Sequence, residues 1–110
     1  NMVAYIGTHD NDPFEGFIEK MSEEQKGKWL LALKGYEGES LREKVIDYLL
    51  ALPAKYAIIS MQDVLGLGSE TRLNTPSIIN GDNWTWKMEG FDKFIALLPK
   101  LKESNKRHKR

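Results

Sequence analysis

The residues with the richest chemical potential lie in two short polar clusters. His9-Asp10-Asn11-Asp12 follows an apolar stretch, and Gln62-Asp63 follows another. A histidine beside an aspartate offers three kinds of chemistry: metal ligation, a base with its orienting carboxylate, or hydrogen bonding to a polar ligand. Metal ligation is poorly supplied, because neighbouring side chains diverge and the only other histidine is His108. A Ser-His-Asp triad lacks a local nucleophile motif. Hydrogen bonding of a polar ligand by His9 and Asp10 remains, beside the plainer reading of a loop in which Asp and Asn side chains cap a turn. Gly66-Leu67-Gly68 lacks the rest of any phosphate-cradling pattern. Glu70 and Arg72 are placed to form an ion pair or to hold their loop. Trp84 and Trp86, two residues apart, face opposite sides of an extended segment, one packed or stacked on a ligand and the other exposed. Asn83-Trp84-Thr85 fits the glycosylation triplet, an accidental match in the absence of a visible signal peptide.

The elements that must position these residues follow from the apolar pattern. Met2-Val3-Ala4-Tyr5-Ile6 predicts a buried strand ending at Gly7, and residues 8–13 a polar loop. Ser22-Glu23-Glu24-Gln25 and Ser40-Leu41-Arg42-Glu43 have capping-box spacing, so each opens a helix. The first stops near Gly35. The second aligns Leu41, Val45, Tyr48, Leu49 and Leu52 on one stripe and ends at Pro53. Residues 56–61 predict a second strand, residues 66–90 a long irregular stretch, and Phe91 to about Glu103 a helix interrupted by Pro99. Its apolar positions are Phe91, Phe94, Ile95, Leu98 and Leu101.

This order is two β/α units with extra helical material in the first. Continuous apolar strands suit a parallel sheet covered on both faces. Two such strands cannot enclose a core by themselves, so the pattern predicts a piece of a larger α/β sheet or barrel. In such folds ligands meet the C-terminal ends of the strands, where both polar clusters lie.

The 110 residues are one domain length, 41% hydrophobic and 29% charged, a globular composition. With no cysteine there are no disulfides, thiolate zinc sites or cysteine nucleophiles. No apolar run approaches a membrane span, and a cytoplasmic setting is expected. The formal net charge of zero divides unevenly: residues 99–110 carry +5 and the rest −5. Residues 104–110 are expected to form a basic tail, the solvated end of a helix rather than a nucleic-acid contact, because no nucleic-acid motif accompanies it.

Three blocks together resemble the 4-α-glucanotransferases, the amylomaltase or disproportionating-enzyme family (glycoside hydrolase family 77) of the α-amylase clan. The first is Tyr5-Ile6-Gly7-Thr8-His9-Asp10-Asn11-Asp12, similar to the family's Y-T-G-T-H-D-N-D. The second runs from Met61 to Pro76, similar to L-Q-D-x-L-G-L-G-x-E-A-R-M-N-x-P, and the third is Asn83-Trp84-Thr85-Trp86-Lys87, similar to N-W-x-W-R. The chain departs from the pattern at Pro13-Phe14, Thr71, Leu73 and Ser77.

The resemblance implies an α/β fold comprising the last two β/α units of a (β/α)8 TIM barrel, incomplete as a free-standing domain, over residues 1–103. It implies transfer of α-1,4-glucan segments between maltooligosaccharides by a retaining mechanism, without cofactor or metal. Asp10 matches the clan's third catalytic carboxylate, which binds the donor sugar's hydroxyls and stabilises an oxocarbenium-like transition state. His9 matches the histidine that hydrogen-bonds the same sugar. Asn11, Gln62, Asp63, Asn74 and Asn83 are further candidates for shaping the sugar cleft, and Asp12 extends the motif. The nucleophile and the acid/base fall on an upstream barrel segment of the same polypeptide. The alternatives are a carbohydrate-binding remnant without catalysis, or part of a hydrolase of the same clan. Neither nucleic acid nor membrane is an expected partner.

Overall fold

The computed structural model describes residues 2–8, 10–75 and 83–110. Among them, strand β1 (Val3–Tyr5) is followed by helices α1 (Phe14–Glu19), α2 (Glu23–Ala32) and α3 (Leu41–Ala51). Strand β2 (Tyr56–Ile58), helix α4 (Met61–Leu65), a 3-10 turn at Ser69–Thr71 and helix α5 (Asp92–Arg107) complete the order. β1 and β2 are parallel, with Val3, Ala4 and Tyr5 opposite Tyr56, Ala57 and Ile58. Parallel pairing requires a long crossover, here supplied by α1 to α3.

The local signals act where their chemistry dictates. Ser22 accepts from the Gln25 backbone and the Gln25 side chain accepts from the Ser22 backbone, a complete capping box. Ser40 accepts from the Glu43 backbone at 3.2 Å, so that cap forms without the full reciprocal box. Gly35 lies just beyond the end of α2, as expected of a stop. The expected second strand is shorter than residues 56–61. Ser60 leaves it to cap α4, accepting from the Asp63 N–H at 3.2 Å. Gly66 ends α4 at φ +72, the left-handed region that glycine enters without a Cβ penalty.

Helix α1 falls between the polar loop expected at residues 8–13 and the capping box at Ser22, where the sequence pattern predicts no element. Phe14 is buried and packs with Leu33 and Val45, while Ile18, Trp29 and Tyr36 close the cluster. The Phe14 ring meets Trp29 edge-on at 5.7 Å, and Phe17 lies 6.0 Å from Trp29. Gly16 brings α1 against the 3-10 turn: a Cβ there would lie 3.0 Å from the Ser69 backbone nitrogen.

The strands are not covered on both faces. Burial alternates along each strand: Ala4 and Ala57 are half-buried and their neighbours exposed. Val3, Tyr5, Tyr56 and Ile58 are all at least half exposed, and the Lys55 ammonium lies over the Tyr56 ring, 5.4 Å from its centroid. Tyr48 is exposed rather than part of the α3 core stripe, its ring edge-on to Tyr36 at 5.3 Å. Ile46, Asp47 and Leu50 are buried instead.

Helix α5 differs from expectation in extent and in orientation. It continues through Pro99 to Arg107, so residues 104–107 belong to the helix rather than to a tail. Phe91, Ile95 and Leu98 face solvent, whereas Phe94, Leu97, Leu101 and Ser104 are half-buried. Charge contacts accompany that rotation. Lys100 Nζ lies 2.7 Å from Glu43, while Arg107 and His108 both reach the buried Asp47. Arg110 donates to the carbonyls of Leu50, Leu52 and Ala54, in the last turn of α3 and just past its end. The basic end is therefore docked on α3, where its donors meet carbonyls a helix terminus leaves unpaired. No helix among the described residues is long and apolar enough to cross a membrane.

Candidate functional site

The loops after the two parallel strands converge. The first carries Asp10, Asn11 and Asp12; the second follows α4 and carries Arg72 and Asn74. Asn74 Nδ2 donates to Asp10 Oδ1 at 2.7 Å, across 64 positions of sequence. The half-buried Asp10 lines the rim of a wide concave surface, together with Asn11, Asp12 and Arg72. The exposed strand residues Val3 and Tyr5 line the same surface. A carboxylate held by an amide at the C-terminal ends of adjacent strands can present itself to the hydroxyls of a polyol ligand.

Asn11 holds the loop from within. Its Oδ1 accepts from the Thr8 N–H at 2.8 Å and from the Thr8 hydroxyl at 3.1 Å. This is the turn-capping contact open to Asn in a polar loop. His9 lies outside the described residues, as do Pro76 and Ser77.

Gln62 and Asp63 lie inside α4 rather than in an open loop, and both are buried. Gln62 Nε2 donates to the Thr71 carbonyl at 3.2 Å. Asp63 Oδ1 accepts from the Phe14 N–H at 2.7 Å. Both contacts tie the second loop to its surroundings, and Thr71, itself buried, donates to the Gly68 carbonyl at 2.8 Å. Asn83 Oδ1 accepts from the Thr75 N–H at 3.0 Å. Trp84 is exposed and Trp86 is half-buried, but Trp84 sits in a turn at φ +65 rather than in the extended segment that their spacing supposes.

Arg72 makes its ion pair with Asp12, at 3.2 Å, rather than with Glu70. Glu70 instead accepts from the Gly68 N–H at 3.3 Å. The remaining Arg72 nitrogens donate to the Asn74 carbonyl, at 2.9 Å, and to the Asp10 carbonyl. Lys20, from the end of α1, also pairs with Asp12. The hydrogen bond from Lys20 holds the Asp12 carboxyl below its ordinary range, with Arg72 adding to the effect against the cost of burial. The long-range partners of Arg72 carry no local sequence signal.

Comparison with known proteins places this geometry in a family. The family model described as 4-alpha-glucanotransferase matches residues 1–93. The chain is 40% identical over 106 residues to the chloroplastic/amyloplastic 4-alpha-glucanotransferase of Solanum tuberosum, covering 94% of this chain and 18% of that protein. It is 42% identical over 91 residues to the 4-alpha-glucanotransferase of Aquifex aeolicus, covering 81% of this chain and 18% of that protein. The structure of an amylomaltase from Streptococcus agalactiae in complex with acarbose superposes with a TM-score of 0.86 at 32% identity. That match covers 98% of this chain and 22% of the amylomaltase. The chain thus spans under a quarter of the length of these relatives. By sequence and by fold, it belongs to the 4-alpha-glucanotransferase family.

Proposed function

We propose that the chain is the C-terminal part of a 4-α-glucanotransferase and contributes the carboxylate that stabilises the transition state. The reading takes β1 and β2 as the seventh and eighth strands of a (β/α)8 barrel. Their exposed face, with Val3, Tyr5, Tyr56 and Ile58, is the face that further strands would cover. The observation that carries the reading is the meeting of Asp10 and Asn74 beyond the C-terminal ends of both strands.

In this reading the donor glucan sits over Asp10. Hydrogen bonds from its ring hydroxyls to the carboxylate strengthen as the sugar flattens toward an oxocarbenium ion. A carboxylate nucleophile and a carboxylic acid elsewhere in the polypeptide break the glycosidic bond. A sugar hydroxyl of the acceptor then displaces the covalent intermediate with retention. Asn74, and His9 by its match to the family motif, serve the same sugar. Asn11, Gln62, Asp63 and Asn83 shape the cleft by holding its two loops.

The test is product analysis. The complete polypeptide carrying these residues, given maltotriose alone, should yield shorter and longer oligosaccharides at a constant number of reducing ends. A steady rise in reducing ends would mean hydrolysis instead. The isolated 110 residues should show no transfer, because they leave out both other carboxylates.

A further inference from the structure

We infer that Arg72 is a positioning residue for Asp10. The inference rests on the reading of Asp10 as the transition-state-stabilising carboxylate.

Arg72 holds both loops by their backbones. Its Nε donates to the Asn74 carbonyl at 2.9 Å, and another nitrogen donates to the Asp10 carbonyl. Its Nη1 pairs with Asp12 Oδ1 at 3.2 Å, a third anchor that fixes the guanidinium plane. The two residues whose backbones it holds are the two whose side chains meet at 2.7 Å. One planar fork therefore sets both ends of the Asp10–Asn74 hydrogen bond. Lysine, with one nitrogen on a flexible stem, cannot offer three donors in fixed directions. A hydroxyl bond that must strengthen in the transition state is sensitive to such placement. A displacement of about 1 Å can cost about a hundredfold in rate.

The experiment is a cycle of Arg72→Lys and Asp10→Asn in the complete polypeptide. The readouts are maltotriose transfer, acarbose binding and thermal unfolding. Arg72→Lys should lower kcat by about a hundredfold while KM changes by less than about threefold. It should also weaken acarbose binding. In the Asp10→Asn background the same substitution should change kcat and acarbose binding by less than about threefold, because the group it positions is gone. If Arg72→Lys does not fold, Arg72→Gln, which keeps an amide donor without the charge, is put through the same cycle. An Arg72 variant with near-normal kcat beside an inactive Asp10→Asn overturns the inference alone. So does an equal loss in both backgrounds, which marks a purely structural role. Near-normal transfer by Asp10→Asn itself overturns the reading of Asp10 on which the inference stands.

Discussion

Asp63 Oδ1 accepts a 2.7 Å hydrogen bond from the backbone N–H of Phe14, 49 residues earlier in the chain. Both residues are buried. The bond satisfies a donor in the first turn of α1, and it joins the segment after β1 to the helix after β2. The two loops that bring Asp10 to Asn74 are thus braced from below as well as tied by Arg72.

Removing that acceptor should be costly. Asp63→Ala leaves a buried N–H without its partner, a loss of about 1–3 kcal/mol. Asp63→Asn keeps an oxygen in place and should cost less. Urea unfolding of the complete polypeptide would rank them; equal stability of Asp63→Ala and the parent would show that the bond is not a brace.

Gly16 marks the closest approach of α1 to the second loop. A Cβ at this position would come within 2.3 Å of Ser69 Oγ and 3.0 Å of the Ser69 nitrogen. The hydroxyl can rotate away but the backbone cannot. Gly16→Ala should therefore destabilise by about 1–2 kcal/mol through overpacking, despite the better helix propensity of alanine. A gain in stability, read from the same urea titration, would mean that the two elements are free to separate.

Helix α1 carries no local sequence signal. The polar run at residues 8–13, ending in a proline, reads as a loop, and nothing in residues 14–21 has the spacing of a helix start. The helix forms because Phe14 enters the core and Asp63 meets its N–H, both long-range events. Local chemistry was legible where it acted alone: the Ser22 box, the Gly35 stop and the Pro53 boundary all lie at helix ends. The polar block around Asp10 was legible as a site because its residue types and order are distinctive. The partners of Arg72 were not, since Asp10 and Asp12 lie about 60 residues away while Glu70 lies next to it. Apolar residues on several sides of α5 left its rotation ambiguous, and the contacts of Lys100 and Arg107 accompany the orientation it takes.

Those α5 contacts predict a pH dependence. Burial works against ionisation of Asp47, but hydrogen bonds from His108, from the Glu37 N–H and from Arg107 outweigh it and hold its carboxyl below the ordinary value of 3.8. A depressed native pKa contributes stability that is fully present above the unfolded value and lost as the pH falls through the native one. Asp47→Asn should therefore lower the melting temperature at pH 7, and the gap from the parent should narrow toward pH 3. A gap that is constant over this range would show that the ionised form of Asp47 carries no special weight.

The role proposed for Asp10 is to stabilise the transition state of glucan transfer. The most direct measurement is the kcat of Asp10→Asn in the complete polypeptide with maltotriose, alongside a melting curve. The substitution keeps shape and an oxygen for Asn74 but removes the charge. Asp10→Asn should lose at least about a hundredfold in kcat, on the order expected for removing a group that acts in the transition state, with the fold intact. Transfer within a fewfold of the parent would contradict it.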